Sequence, residues 1–140
     1  MAEEPCAFLI KQINDALEKQ ANNALRDQGM TMAQVTVLMY LDDQSEKTAS
    51  LKALEKFLGV AQSTAAGIVS RLEQKGYVVG FGDPADKRIK MIKITSAGEQ
   101  CCANSQENRD LTEERLTMGF GKEEKEAFRM LLQKARDSVK

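Results

Sequence analysis

The first apolar pattern of the chain has the spacing of a helix. Its positions are Leu9, Ile13, Leu17, Ala21 and Leu25. Residues three or four apart share one face of a helix, so an amphipathic helix is predicted over residues 5 to about 26. A second helix is predicted through about residue 41, because Thr31 and Gln34 have the spacing of a capping box. Its segment VTVLMYL is apolar nearly all round, which predicts a central, buried helix.

Two short helical patterns follow in the middle of the chain. The first begins after Ser50, a candidate N-cap, and ends before Gly59. The second is predicted from residue 62 to about residue 75 and ends at Gly76. Its inward positions are Ala65, Ile68, Val69 and Leu72. Two short helices joined through LGVAQ have the spacing of a helix-turn-helix.

β-Branched and aromatic residues then replace the helical spacing. Two strands are predicted, over residues 77–81 and 89–94, joined by the charged turn DPADKRIK. Thr95 or Ser96 is predicted to cap a long helix that extends to about residue 118, and a last helix follows the GFG turn. The segment DDQSEKTA is predicted to be a polar loop. The predicted fold class is mainly α, with a small two- to three-stranded β wing.

The composition restricts the chemistry that the chain can perform. It contains no histidine, the usual general acid or base near neutral pH and the commonest metal ligand. No glycine-rich phosphate loop is present. Carboxylates or lysines could still serve an enzyme, but no motif indicates one, so neither enzymatic activity nor a cofactor is expected. An acidic N-terminus, short apolar runs and an odd cysteine count favour a cytoplasmic protein without membrane contact.

The charges are unevenly distributed along the chain. The formal net charge is −1, which taken alone argues against a partner such as nucleic acid. Residues 52–93, however, contain eight Lys and Arg against four Asp and Glu. Residues 1–51 contain four against eight, and residues 94–140 contain eight against nine. A basic middle between acidic ends is typical of a chain whose central region binds a polyanion.

The motifs of the middle of the chain resemble those of one known family. LKALEKFLGVAQSTAAGIVSRLEQKGYVV, followed by DPADKRIKMIKITSAGE, is similar to the winged helix-turn-helix of the MarR family of bacterial transcription regulators. The resemblance implies one domain over residues 1–140. Its DNA-binding lobe would comprise residues 28–95, flanked by a dimerisation lobe of N- and C-terminal helices over residues 1–27 and 96–140.

The resemblance also implies a homodimer that binds a palindromic double-stranded operator. Both terminal helices carry apolar stripes that one chain would not fully cover, although the stripes could instead close a monomeric core. The predicted dimerisation residues are Leu9, Ile13, Leu17, Phe128, Leu131, Leu132 and Ala135.

The outward face of the 62–75 helix is made of small and short polar residues, which suits close approach to base edges in the major groove. Glycine in mid-helix costs on the order of 1 kcal/mol relative to alanine. A groove contact could justify Gly67, but Ala66 and Gly67 could also serve close helix packing. The DNA-binding residues predicted here are Ser50, Gln62, Ser63, Thr64, Ala66, Gly67, Ser70, Arg71 and Gln74.

The charged turn is predicted to be a wing that contacts the DNA backbone and the adjacent minor groove. Its predicted DNA-binding residues are Asp86, Lys87, Arg88 and Lys90. Arg88 would enter the groove, both lysines would neutralise phosphates, and the resemblance implies that Asp86 orients Arg88 or Arg71. A turn charged only for solubility is the alternative.

Two positions depart from the family pattern, which usually has Ser or Thr at the N-cap of the recognition helix and often has Arg leaving the first wing strand. This chain has Ala61 and Gly80 at those positions. A missing cap costs roughly 1 kcal/mol, and the missing arginine removes one expected phosphate contact.

The leading functional interpretation is a repressor released by a small aromatic or lipophilic ligand, as the resemblance implies. Candidate ligand contacts are Phe8, Leu9, Met32, Val35, Met39, Tyr40 and Phe57. One alternative is a thiol-based redox sensor, because CAFL around Cys6 is similar to the motif of a redox-sensing branch of the family. A winged-helix module for protein contacts alone is the other.

Overall fold

The computed structural model describes residues 3–140. In that part of the chain it contains seven α-helices and one three-stranded sheet. The helices are α1 (Cys6–Leu25), α2 (Met32–Asp42), α3 (Leu51–Leu58), α4 (Gln62–Gln74), α5 (Ser96–Asn104), α6 (Gln106–Leu116) and α7 (Lys122–Val139). The strands are β1 (Thr48–Ser50), β2 (Val78–Gly82) and β3 (Lys90–Ile94). The predicted fold class, mainly α with a small β wing, is confirmed.

Helix α2 is the centre of the hydrophobic core, as its apolar sequence predicts. The side chains of Val37, Leu38 and Leu41 are fully buried. The predicted capping box is confirmed at the start of the helix. Thr31 Oγ1 accepts the backbone N–H of Gln34 at 3.2 Å, and Gln34 Oε1 accepts the N–H of Thr31 at 3.2 Å. These two bonds fix the residue at which α2 begins.

The sheet has the strand order β1-β3-β2, and both pairs are antiparallel. In the β2–β3 pair, Gly80 is opposite Ile92 and Gly82 is opposite Lys90. Strand β1 corrects the sequence prediction, because its first two residues lie in the segment predicted as a polar loop. Ala49 of β1 is buried and pairs with Ile92, so contact with a distant strand determines this element.

The predicted starts of α3 and α4 are confirmed, but the two helices begin differently. Ser50 Oγ accepts the backbone N–H of Ala53 at 3.0 Å and caps α3. Helix α4 begins at Gln62 after Ala61, whose side chain makes no capping hydrogen bond. Gly59 ends α3 in the left-handed conformation with φ 67°, which glycine adopts without strain.

The long helix predicted after the wing is divided at Ser105. The hydroxyl of this buried serine donates to the carbonyl oxygens of Cys101 and Cys102, at 3.0 Å each. Back-bonding of this kind bends helices, and the helical segment continues as α6. The predicted single helix is therefore wrong in this respect. Of the two predicted caps, Thr95 and Ser96, the structure shows Thr95, whose Oγ1 accepts the N–H of Gly98 at 3.1 Å.

The chain forms two compact units, Met1–Asn108 and Arg109–Lys140. The first contains the core, the helix-turn-helix and the sheet. The second is a pair of helical segments in which the rings of Phe120 and Phe128 pack edge to face, 5.2 Å apart. The predicted division into a lobe of residues 28–95 and a flanking helical lobe stays a prediction. Over residues 3–140, no helix has the length and apolar character needed to cross a membrane.

Gly98 lies where helix α5 passes close to the residue before β2. A Cβ atom at this position would overlap the carbonyl oxygen of Tyr77 and lie 2.7 Å from Cγ1 of Ile94. The same carbonyl accepts the N–H of Thr95 at 3.0 Å. Only glycine permits this approach without a shift of the backbone.

Gly98→Ala is therefore expected to destabilise the fold by about 1–3 kcal/mol, the usual cost of overpacking. Gly67→Ala is the matched control, because a Cβ there meets no atom within 4 Å in the described residues apart from its two chain neighbours and the surrounding backbone of α4. It is expected to stabilise the fold by up to about 1 kcal/mol through helix propensity. Denaturant unfolding of the two variants measures both effects. Equal stabilities would contradict the proposed role of Gly98.

Candidate nucleic-acid interface

Helix α4 presents two different faces. Ala65, Val69 and Leu72 are buried and pack into the core. The end of the helix is anchored through Lys75, whose ammonium group donates to the carbonyl of Gly29. All the outward positions predicted for DNA contact are exposed: Gln62, Ser63, Thr64, Ala66, Gly67, Ser70, Arg71 and Gln74. The helix thus presents mostly small and uncharged polar side chains to solvent, together with the cation Arg71.

Gly67 is exposed at the middle of this outward face. Apart from its two chain neighbours and the surrounding backbone of α4, no atom of residues 3–140 lies within 4 Å of the position that its Cβ would occupy. Close packing within the described chain therefore does not explain the glycine, which removes one of the two interpretations of its sequence position. Glycine in the middle of a helix lowers helix stability relative to alanine. In the described residues, no packing contact that requires the absence of a side chain at Gly67 offsets this loss.

The wing turn between β2 and β3 is ordered by its two aspartates. Asp83 Oδ1 accepts the backbone N–H of Ala85 at 2.8 Å, and the carbonyl of Asp83 accepts the N–H of Asp86 at 3.1 Å. The N–H of Ile89 donates to the carbonyl of Asp86 at 3.0 Å. Aspartates that bond to the backbone two residues on are typical of tight turns.

Asp86 also holds the arginine at the tip of the wing. Arg88 Nε donates to Asp86 Oδ1, and Nη2 donates to Oδ2, each at 3.0 Å. The backbone N–H of Arg88 donates to the same carboxylate at 3.1 Å. These bonds lower the pKa of Asp86 and raise that of Arg88. Of the two predicted partners of Asp86, the structure therefore shows Arg88, whose side chain is 91% exposed.

Lys90 does not extend freely from the wing. Its ammonium group lies 3.2 Å from Oε1 of Glu73 near the end of α4. The side chains are half exposed, at 49% for Lys90 and 35% for Glu73. Glu73 is not among the site residues predicted from the sequence. Gly80 was the feature of the sequence that could have indicated the Lys90–Glu73 pair. The family often has an arginine at this position, and glycine leaves space above the strand because it has no side chain.

Ser50 and Lys87 complete the predicted DNA contacts. Lys87 is exposed on the wing. Ser50 is half-buried, and its hydroxyl oxygen already accepts the N–H of Ala53, although the hydroxyl can still donate. The structure brings α4 and the wing together in one unit of the chain.

The predicted dimerisation residues lie on α1 and α7. Leu9, Ile13, Leu131, Leu132 and Ala135 are exposed, whereas Leu17 and Phe128 are half-buried. An open groove in the second unit is lined by Leu116, Phe128 and Leu132 among charged side chains. Large apolar side chains are therefore accessible on both terminal helices.

The candidate ligand contacts differ in burial. Val35 is buried, Met32, Met39 and Tyr40 are half-buried, and Phe8, Leu9 and Phe57 are exposed. Tyr40 of α2 and Phe57 of α3 form an aromatic pair with ring centroids 4.3 Å apart. The exposed ring of Phe57 extends this pair to the surface.

The cysteines have unequal environments. Cys6 is exposed at the start of α1, whereas Cys101 and Cys102 are buried. Burial raises the pKa of Cys101, and the hydrogen bond from Tyr77 opposes this rise. A raised pKa reduces thiolate formation and reactivity. Within residues 3–140, no group of three His, Cys, Asp or Glu residues has the arrangement of a metal site.

Comparison with known proteins identifies relatives of this chain. The sequence model of the MarR family matches residues 28–89. The HTH-type transcriptional regulator YwoH of Bacillus subtilis is 33% identical over 132 residues, which cover 89% of this chain and 94% of YwoH. The transcriptional activatory protein BadR of Rhodopseudomonas palustris is 27% identical over 92 residues. The match covers 65% of this chain and about half (53%) of the length of BadR.

Two solved structures are similar over nearly the whole chain. A cysteine-to-serine variant of Escherichia coli MarR in complex with operator DNA is 26% identical, with a TM-score of 0.82 and coverage of 94% of this chain and 93% of that chain. BpsR of Bordetella bronchiseptica, whose DNA binding is regulated by 6-hydroxynicotinic acid, is 25% identical with a TM-score of 0.85. The match covers 96% of this chain and 94% of BpsR. The chain therefore belongs to the MarR family of winged helix-turn-helix transcription regulators.

Proposed function

We propose that this protein is a sequence-specific DNA-binding repressor that contacts its operator through α4 and the wing. The observation that carries the proposal is the exposed face of α4, which combines small and hydrogen-bonding side chains beside a wing with an oriented arginine. The operator complex of the E. coli MarR variant supports the same partner. Binding to its DNA partner would take place in the cytoplasm.

Helix α4 reads base edges in the major groove. Gln62, Ser70 and Gln74 supply donors and acceptors, and Ala66 and Gly67 permit close approach of the helix backbone. Ser63, Thr64 and Arg71 lie on the same exposed surface, where they contact bases or the adjacent phosphates. The hydroxyl of Ser50 at the start of α3 donates to a phosphate.

The wing contacts the sugar-phosphate backbone and the minor groove. Arg88 enters the groove, because its planar guanidinium can make several hydrogen bonds at once. Its bidentate pair with Asp86 limits the rotamers of Arg88 before binding, which reduces the entropy lost on complex formation. Lys87 neutralises a phosphate. Lys90 differs from Arg88 in the position of its partner, because Asp86 lies within the wing turn whereas Glu73 lies on α4.

Two copies of the chain form the operator-binding unit. Leu131 and Leu132 of α7 are 56% and 40% exposed, and Leu9 and Ile13 of α1 are also exposed. Burial of such side chains against a second copy is favourable at roughly 25 cal/mol per Å² of apolar surface. The two-fold symmetry of a homodimer matches a palindromic operator.

A small aromatic or lipophilic effector releases the repressor from DNA. Regulation of the relative BpsR by 6-hydroxynicotinic acid supports this class of ligand. In this chain, the pair of Tyr40 and Phe57 offers an aromatic surface between α2 and α3. If a panel of small aromatic acids left operator affinity unchanged, the effector part of the proposal would be withdrawn.

Arg88→Ala and Ser70→Ala separate backbone positioning from base reading. Arg88→Ala is expected to weaken binding to every duplex. The plot of log K against log salt is expected to become shallower, with a slope that is less negative by roughly one. Ser70→Ala is expected to cost about 1 kcal/mol on a selected operator, the scale of one hydrogen bond, and little on random DNA. Gel-shift titrations on DNA selected from a random pool measure both effects.

Arg115→Ala on α6 is the control with the same change of charge. Thermal melts establish that each variant is folded. If Arg88→Ala bound the operator normally with an unchanged salt slope, the wing would be only a solubilising turn.

The pair at the wing tip predicts the titration of Asp86. Because Arg88 holds the pKa of Asp86 below its ordinary value, the pair stabilises the fold above the unfolded pKa, and this contribution is lost as the pH falls through the lowered folded pKa. Carboxyl NMR is expected to show the Asp86 pKa rising toward its ordinary value in Arg88→Ala. Arg71→Ala is expected to leave it unchanged, and an equal response to both variants would refute the pairing.

Sedimentation at micromolar concentration is expected to show a dimer. Combined Leu131→Glu and Leu132→Glu substitutions are expected to weaken the dimer and DNA binding together, because charge on an apolar contact surface must be desolvated. Lys134→Glu on the same helix changes the net charge equally and is expected to have little effect. A monomer that binds DNA tightly is incompatible with the proposed assembly.

A further inference from the structure

The Lys90–Glu73 ion pair joins the wing to the recognition helix. Lys90 is the first residue of β3, and Glu73 is in the last turn of α4. Their charged groups lie 3.2 Å apart. Pairing of a wing cation with a carboxylate of the recognition helix reduces the positive charge that the wing offers to DNA.

Gly80 leaves the space in which this pair forms. Gly80 lies opposite Ile92, and Lys90 lies opposite Gly82, so Gly80 and Lys90 are diagonal neighbours on one face of the sheet. A Cβ atom at Gly80 would lie 3.0 Å from Cε of Lys90 and 3.3 Å from Oε1 of Glu73. The stem of Lys90 thus crosses the sheet over Gly80 to reach Glu73.

We infer that Glu73 is a positioning residue that holds the ammonium group of Lys90 away from the DNA phosphates. This inference rests on the proposed function, and it changes the role of one residue within it. Arg88 and Lys87 remain the wing cations that meet DNA, whereas Lys90 serves to neutralise Glu73 on the protein. Because phosphate contacts strengthen binding to every sequence, Glu73 lowers the affinity of the protein for DNA in general.

The two possible roles of Lys90 predict different salt dependences. If Lys90 is held by Glu73, then Glu73→Gln releases one cation to the phosphates. The slope of log K against log salt then becomes steeper by about 0.9. If Lys90 already contacts a phosphate, Glu73→Gln leaves the number of phosphate contacts, and therefore the slope, unchanged.

The experiment measures binding of the full-length chain to a labelled random-sequence DNA duplex between about 50 and 200 mM salt. The ratio of the affinity of Glu73→Gln to that of the unmodified protein is expected to fall about threefold as the salt concentration rises from about 50 to 200 mM. This is the effect of one additional phosphate contact. The double substitution Glu73→Gln with Lys90→Met removes both charges. It is expected to restore the slope of the unmodified protein.

Two control variants test whether the change of slope depends on the ion pair itself. Lys90→Arg keeps the ion pair and is expected to bind as the unmodified protein does. Glu123→Gln on α7 makes the same change of net charge away from the wing and is expected to leave the slope unchanged. Thermal melts are expected to be similar for all variants, because the pair is half exposed.

The outcomes distinguish this inference from the proposed function. Suppose that the slope is unchanged in Glu73→Gln and shallower by about 0.9 in the double variant. Lys90 would then contact a phosphate, which would overturn this inference but not the proposed function. Equal steepening in Glu123→Gln would also overturn it, because the effect would then be one of net charge. If the unmodified protein bound no DNA, the proposed function would fail and the inference with it.

Discussion

The burial of α2 is the constraint on which the candidate interface depends. Because this helix is apolar nearly all round, its neighbours must cover it with apolar faces of their own. Val69 and Leu72 of α4 and Ile92 of β3 belong to the same buried cluster. The face of α4 that remains for solvent is therefore the one that carries Ser70 and Gln74. The burial of one face of α4 against α2 therefore determines which side chains of α4 are exposed at the candidate interface.

Sequence patterns were sufficient where structure depends on neighbours along the chain. The capping box at Thr31 and Gln34, the cap at Ser50 and the two faces of α4 all follow from spacing of at most a few residues. The three-residue strand β1 could not be predicted in this way, because it exists through pairing with β3. The interruption of the helix at Ser105 was missed for a different reason. From sequence alone, a serine in a helix can either face solvent or bond back to the helix.

The candidate site shows the same division. Exposure of the outward residues of α4 was predicted, because it arises within one helix. For Asp86 the family resemblance implied Arg88 or Arg71 as the partner, and the structure shows Arg88. The Lys90–Glu73 pair joins residues that are seventeen positions apart, and its existence depends on how the wing folds against α4. A run of charges gives no information on which cation is already paired.

The Lys90–Glu73 pair and the side chain at position 80 require the same space. Even a methyl group at Gly80 would lie at 3.0 Å from Cε of Lys90 and 3.3 Å from Oε1 of Glu73, so any larger residue at this position would require the ends of both side chains to shift. The ion pair in this geometry therefore favours glycine at position 80. The absence of a side chain at one position of the wing thus bears on which charges the protein can pair with one another.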